Sequence, residues 1–141
     1  MKRLGLMALL AFCCGHAAQA DIFSRLSGTF GDPAVPEESC TANPVFASFT
    51  SDHRRVTYSW ASPVPSYTGA MITGFGGTVV ADSPGSVTMR RDNETRQLRD
   101  GSLVLWIMRA IVQPDGFCWT RPDWAPDDCA PMERCGAAPN S

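Results

Sequence analysis

Turn-forming residues punctuate this chain too often for it to build helices of useful length. Breaks rich in Pro, Gly, Asn and Asp recur about every eight to twelve residues, a spacing that fits short strands joined by turns. The segments between the breaks read in period two. Residues 55–60 alternate cleanly, with Val56, Tyr58 and Trp60 on one face and Arg55, Thr57 and Ser59 on the other. Together with residues 45–50 they predict a hairpin around the polar turn Ser51-Asp52-His53-Arg54.

The same reading extends along the chain. Pro63-Val64-Pro65 breaks the pattern, and residues 70–75 and 78–81 are short β-type runs that Gly76-Gly77 should divide by a bulge, bend or turn. After Ser83-Pro84-Gly85, Val87 and Met89 oppose Thr88 and Arg90. Residues 91–99 are polar, and Asp100-Gly101 marks a further reversal. Residues 103–112 are the most apolar stretch. Gln113-Pro114-Asp115-Gly116 turns it and residues 117–121 return, leaving a C-terminal tail rich in Pro and Cys. The expected fold is all-β: a small antiparallel up-and-down barrel of six to eight strands with disulfide-pinned loops. Consecutive hairpins that close on themselves leave no edge strand.

Within residues 103–112, Arg109 is the only charge, so Leu103, Leu105, Ile107, Arg109 and Ile111 should face outward. Val104, Trp106, Met108, Ala110 and Val112 should then point to the core. Four large aliphatics would lie on an outer face, and contiguous apolar patches of that kind are uncommon on soluble monomers. Cover by the N-terminal turn with Ile22, Phe23 and Leu26 is the first expectation. A dimer formed through Leu103, Leu105, Ile107 and Ile111 is the second.

Residues 1–20 read as a secretory signal: Lys2 and Arg3, an apolar run from Leu4 to Cys14, and Ala18-Gln19-Ala20 as a cleavage site. That run is much shorter than the ~20 residues a membrane-spanning helix needs. The expected product is a single exported domain over residues 21–141, periplasmic or extracellular in a bacterium. It would carry ten Arg, no Lys, 14 acids, one His and four Cys, a net charge of −4. This balance argues against non-specific nucleic-acid binding, which depends on a basic footprint. The cluster of Arg90, Arg91, Arg96 and Arg99 is interleaved with Asp92, Glu94 and Asp100, which favours cross-strand ion pairs over an anion site.

An even cysteine count in an exported chain points to disulfides. Cys40, Cys118, Cys129 and Cys135 allow three pairings. Cys118–Cys129 with Cys40–Cys135 is preferred, because both proline-rich segments lack the periodic apolar residues that would order them by burial. There is no Cys-x-x-Cys, and His53 lies far along the chain from the cysteines, so no metal is implied. Asp123, Asp127, Asp128 and Glu133 do not match the spacing of a calcium loop.

Several of these pieces resemble a known group. Gly28-Thr29-Phe30 is similar to the Gly-x-Trp that opens the first strand of lipocalin-like (calycin) barrels, with Phe for Trp. Gly31-Asp32-Pro33, Cys40 with Asn43-Pro44, and Leu105-Trp106 resemble segments of small exported bacterial proteins with such a barrel. So does the cluster of Phe117, Cys118, Trp119, Arg121, Asp123, Trp124, Cys129 and Cys135. The resemblance spans most of residues 27–135. It implies a barrel and an exported location, and no activity, since that group is largely uncharacterised.

Catalysis finds little support. His53 is the only imidazole after the leader, there is no Gly-x-Ser-x-Gly, and Gly74-Phe75-Gly76-Gly77 lacks the Lys-Ser/Thr of a phosphate loop. The expectation is a non-enzymatic binding module without a cofactor. Its lumen, lined by Tyr58, Trp60, Phe75, Trp106 and Met108, would take a small apolar or amphipathic ligand. An eight-stranded barrel can be filled by its own side chains or hold one such ligand. The alternative is an inhibitor-type interaction domain acting through loop 31–44 and a tail that offers Trp119, Arg121 and Trp124, residue types enriched at binding hot spots.

Overall fold

A computed structural model describes residues 20–136 of the chain. The leader expected over residues 1–20 lies outside them, apart from Ala20. The period-two segments become eight antiparallel strands joined in sequence order: β1 (Gly28–Gly31), β2 (Val45–Phe49), β3 (Arg55–Pro65), β4 (Met71–Ser83), β5 (Ser86–Arg91), β6 (Trp106–Ile111), β7 (Gly116–Thr120) and β8 (Ala130–Arg134). Each pairs with its neighbour, and β8 returns to β1, so the sheet is a closed barrel without an edge.

The barrel alternates as expected. Phe30, Val45, Ala47, Val56, Tyr58, Val87, Met89, Met108, Phe117 and Met132 point inward and form one buried cluster. Burial of large side chains of this kind stabilises by ~1.5–3 kcal/mol each. Ile22, Phe23 and Leu26 join the same cluster from a single helical turn, α1 (Ile22–Leu26), whose first turn is capped by Ser24 N–H donating to Asp21 Oδ1 at 2.9 Å. So α1 enters the barrel core instead of covering the outer face of β6. Three apolar side chains on one short turn bury more completely among inward-facing residues than on a convex sheet surface.

Several local expectations are corrected. Residues 63–65 continue β3, with the register shifting between Ser59 and Val64, where Pro63 has no N–H to donate to the ladder. Gly76-Gly77 does not interrupt β4, whose irregularity lies between Val79 and Ala81. These glycines make room instead. A Cβ at Gly76 would meet Arg55 Nη2 and Asp92 Oδ2 at 2.7 Å, and one at Gly77 would meet Val56 Cγ1 at 3.1 Å. The outer space holds the Arg55–Asp92 ion pair, and the inner space admits the core.

The reversal at Asp100-Gly101 forms, with Gly101 at φ +82°, but the flanks make only a single Gln97–Leu103 bridge. Leu103 and Leu105 therefore precede β6. Val112 follows it and is 76% exposed instead of inward. Arg109 on the outer face of β6 donates to the Pro126 carbonyl at 3.3 Å, placing the Cys118–Cys129 loop against that face. The tail is not irregular throughout: β8 comes from it and closes the barrel.

That closure is narrow, with two paired positions between β1 and β8. It is reinforced where it is weakest. Cys40 and Cys135 lie at disulfide distance with Cα atoms 5.4 Å apart, as do Cys118 and Cys129. Arg134 lays its guanidinium over the Phe30 ring at 4.8 Å, donates to the Ser27 carbonyl at 2.9 Å, and donates to the Arg25 carbonyl of α1.

Candidate functional site

Because every connection is antiparallel, the loops segregate into two sets. One end of the barrel carries α1 and the turns after β2, β4 and β6. The other carries loop 32–44 and the connections after β3, β5 and β7. The first end is closed by α1. At the second, a cavity of about 310 Å³ enters the barrel, walled chiefly by Tyr58, Trp60, Phe75, Arg91, Trp106 and Trp119. That is about twice the ~150 Å³ that admits a benzene molecule in a protein core.

Four of the five lumenal residues named from the sequence line this cavity: Tyr58 and Trp60 on β3, Phe75 on β4 and Trp106 on β6. Met108 lies deeper, fully buried, where its Sδ accepts from the Tyr58 hydroxyl together with Met89 Sδ at 3.5 Å. Burial holds the Tyr58 phenol well above its ordinary pKa. The tail residues divide. Trp119 is on β7 and faces the lumen beside Tyr58, ring centres 5.3 Å apart. Trp124 stands edge-on to Trp106 at 5.5 Å, and Arg121, paired with Asp123, lies over both of those rings.

Arg91 is the residue that the sequence reading did not place here. It ends β5 on the inward face already occupied by Val87 and Met89, and extending that alternation by one step reaches it. The guanidinium is 3.9 Å from the Phe75 ring centre, 5.1 Å from Trp106 and 5.7 Å from Trp119. Among the described residues it makes no hydrogen bond or ion pair, and its enclosed Nε has no acceptor. Burial pulls its pKa below the ordinary arginine value. Trp60 Nε1 is a second enclosed donor without a partner. Each such group costs ~1–3 kcal/mol, so two in one cavity wall require a reason.

The nearby carboxylate does not supply one. Glu94 is 8% exposed and accepts from Arg96 Nε at 2.7 Å, Arg96 Nη2 at 2.8 Å and Trp106 Nε1 at 3.0 Å. The hydrogen bonds from Arg96, first among the causes, bring its pKa down to about 2. Arg96 in turn lies over Tyr67 at 4.4 Å, and Tyr67 donates to the Asn93 carbonyl at 2.9 Å. This network fixes the Trp106 ring and consumes Glu94. The cross-strand pairing expected of the arginine cluster does not form for either residue. Arg96 pairs locally with Glu94, two residues away in the loop after β5, and Arg91 has no ion pair among the described residues because the strand turns its side chain inward.

Asp32 and Glu38 border the cavity from loop 32–44. Burial and the charges of Asp32 and Glu37 push the Glu38 carboxyl up. His53 lies at the opposite, closed end at φ +59°, stacked on Phe23 with ring centres 3.9 Å apart. Among the described residues, no group of three or more His, Cys, Asp or Glu side chains gathers to hold a metal ion, and no helix is long and apolar enough to cross a membrane. No family model matches the chain, and no curated protein or solved structure matches it either.

Proposed function

We propose that this protein is an exported, non-enzymatic barrel that binds a small apolar or amphipathic ligand in its lumen. The observation that carries this reading is the aromatic-walled cavity of about 310 Å³ at one end of a barrel whose other end is stopped by α1. Its size falls at the lower limit of ordinary small-molecule pockets, which combine apolar walls with a few polar groups. Export is supported by the leader-like residues 1–20 and by the two cystine pairs, which persist in oxidising compartments. The likeness of the chain's motifs to small exported lipocalin-like barrels points the same way. A binding role is favoured over a catalytic one because His53 sits at the end away from the cavity.

The test is a fluorescence titration with the neutral apolar dye N-phenyl-1-naphthylamine, paired with an Ile72→Trp variant that narrows the cavity. Saturable binding that the variant weakens at least tenfold supports the reading. Absence of binding, or equal binding by both proteins, refutes it. An interaction domain acting through loop 31–44 and Trp124 is the second reading. It has less to work with, since Trp119 is turned into the lumen.

A further inference from the structure

The cavity's polar equipment narrows the ligand class, an inference that rests on the lumen being a binding site. Apolar walls alone would select nothing beyond size. This lumen also holds a guanidinium boxed by Phe75, Trp106 and Trp119, with no acceptor among the described residues, and the unpartnered indole N–H of Trp60. Both groups are donors. The aromatic rings pack around the guanidinium at 3.9, 5.1 and 5.7 Å without a lone pair to accept its N–H groups, which leaves those donors for a partner. The buried carboxylate that could have served, Glu94, is already held by Arg96 and Trp106.

We propose that the lumen binds a small carboxylate, its planar head accepting from the Arg91 guanidinium and its aromatic or short aliphatic body lying among Tyr58, Trp60, Phe75 and Trp119. A carboxylate matches the fork of a guanidinium edge, and hydrogen bonds between charged groups are about twice as strong as neutral ones. A single negative charge also neutralises the single unpaired lumenal cation. A phosphate dianion would bring a second negative charge without a cationic partner into a cavity already bordered by Asp32 and Glu38, which is unfavourable. Asp32 and Glu38 lie at the loop side of the cavity and set the opposite preference there. They make a ligand amine the competing hypothesis, and the experiment has to separate the two.

Isothermal titration with 3-phenylpropanoate, 3-phenylpropanamide and 3-phenylpropylamine varies the head and keeps the body. The expected result is that the carboxylate binds about 10- to 100-fold tighter than the amide, as a hydrogen bond to a charged group predicts. In Arg91→Met the ratio of the two affinities should fall to about one, and Arg91→Lys should keep part of it. Circular dichroism checks that both variants fold. A carboxylate preference that survives in Arg91→Met overturns the assignment of Arg91. Equal binding of all three heads overturns the carboxylate proposal and leaves the lumenal site standing. Tightest binding of the amine overturns it in favour of Asp32 and Glu38. If none of the three binds and N-phenyl-1-naphthylamine also fails, the lumenal reading falls and the proposal with it.

Discussion

Replacing Arg91 with Met in the ligand-free protein tests whether the lumenal cation serves the fold or a ligand. Methionine keeps much of the unbranched aliphatic stem and removes the charge. The fold would lose the stacking on Phe75 at 3.9 Å, worth up to ~2 kcal/mol for a desolvated cation, and smaller contributions from Trp106 and Trp119 at 5.1 and 5.7 Å. It would be relieved of an enclosed Nε without an acceptor, ~1–3 kcal/mol. It would also be relieved of a half-buried charge without a partner among the described residues, which costs only a fraction of the several kcal/mol of full burial. The gains exceed the lost stacking by about 1 kcal/mol, so the balance favours the variant. Equilibrium urea unfolding with the disulfides intact measures this directly. Urea is preferable to guanidinium chloride, whose cation is the Arg91 head group itself and would compete for the aromatic box. An unchanged slope with a higher midpoint is the expected pair of results. If Arg91→Met is destabilised by about 1 kcal/mol or more, the guanidinium is holding the aromatic wall together and the desolvation argument is refuted.

Two further outcomes follow from the staples and the ion-pair network. The two bridges close sequence separations of 95 and 11, so on the chain-entropy model their Cys→Ser pairs should cost about 4.7 and about 2.8 kcal/mol. Equal or reversed losses in urea midpoint would show that the unfolded-state argument does not govern here. Glu94 has its pKa lowered from 4.5 to about 2, so its stabilisation is complete above about pH 4.5 and drains away as the pH falls towards 2. The stability gap between wild type and Glu94→Gln should therefore be about 3 kcal/mol at pH 7 and close across that acid window. A gap that stays constant from pH 7 to pH 2 would contradict the network.

Much of the barrel was legible in the chain because period two is a local property of a strand. Val56, Tyr58 and Trp60 could be assigned inward from six residues, and Val87 with Met89 from four. The same alternation carried one step further reaches Arg91, but a charge next to Arg90 and Asp92 reads as solvated until the sheet is closed around it. Ala130–Arg134 shows the opposite failure. Only Met132 in that run is both apolar and large, too little for a periodic signal, and what makes it a strand is the pairing it finds on β7 and β1.

Composition, periodicity and cysteine count by themselves determined the all-β class, the up-and-down order of hairpins, four of the five lumenal side chains and the preferred bridges. These follow from short-range sterics, from turn chemistry and from which segments cannot order themselves by burial. Only the tertiary structure decided that α1 stops one end of the barrel, that Trp119 belongs to the lumen, that β8 closes the sheet and that a cavity opens at the other end above a filled core. Each depends on how side-chain volumes from different strands sum across the barrel, a quantity to which every strand contributes and which none carries alone. The position of Arg91 is the sharpest instance. Its face was written in the alternation of β5, but the aromatic box, the missing acceptor and the occupied Glu94 come together only when four separate segments meet.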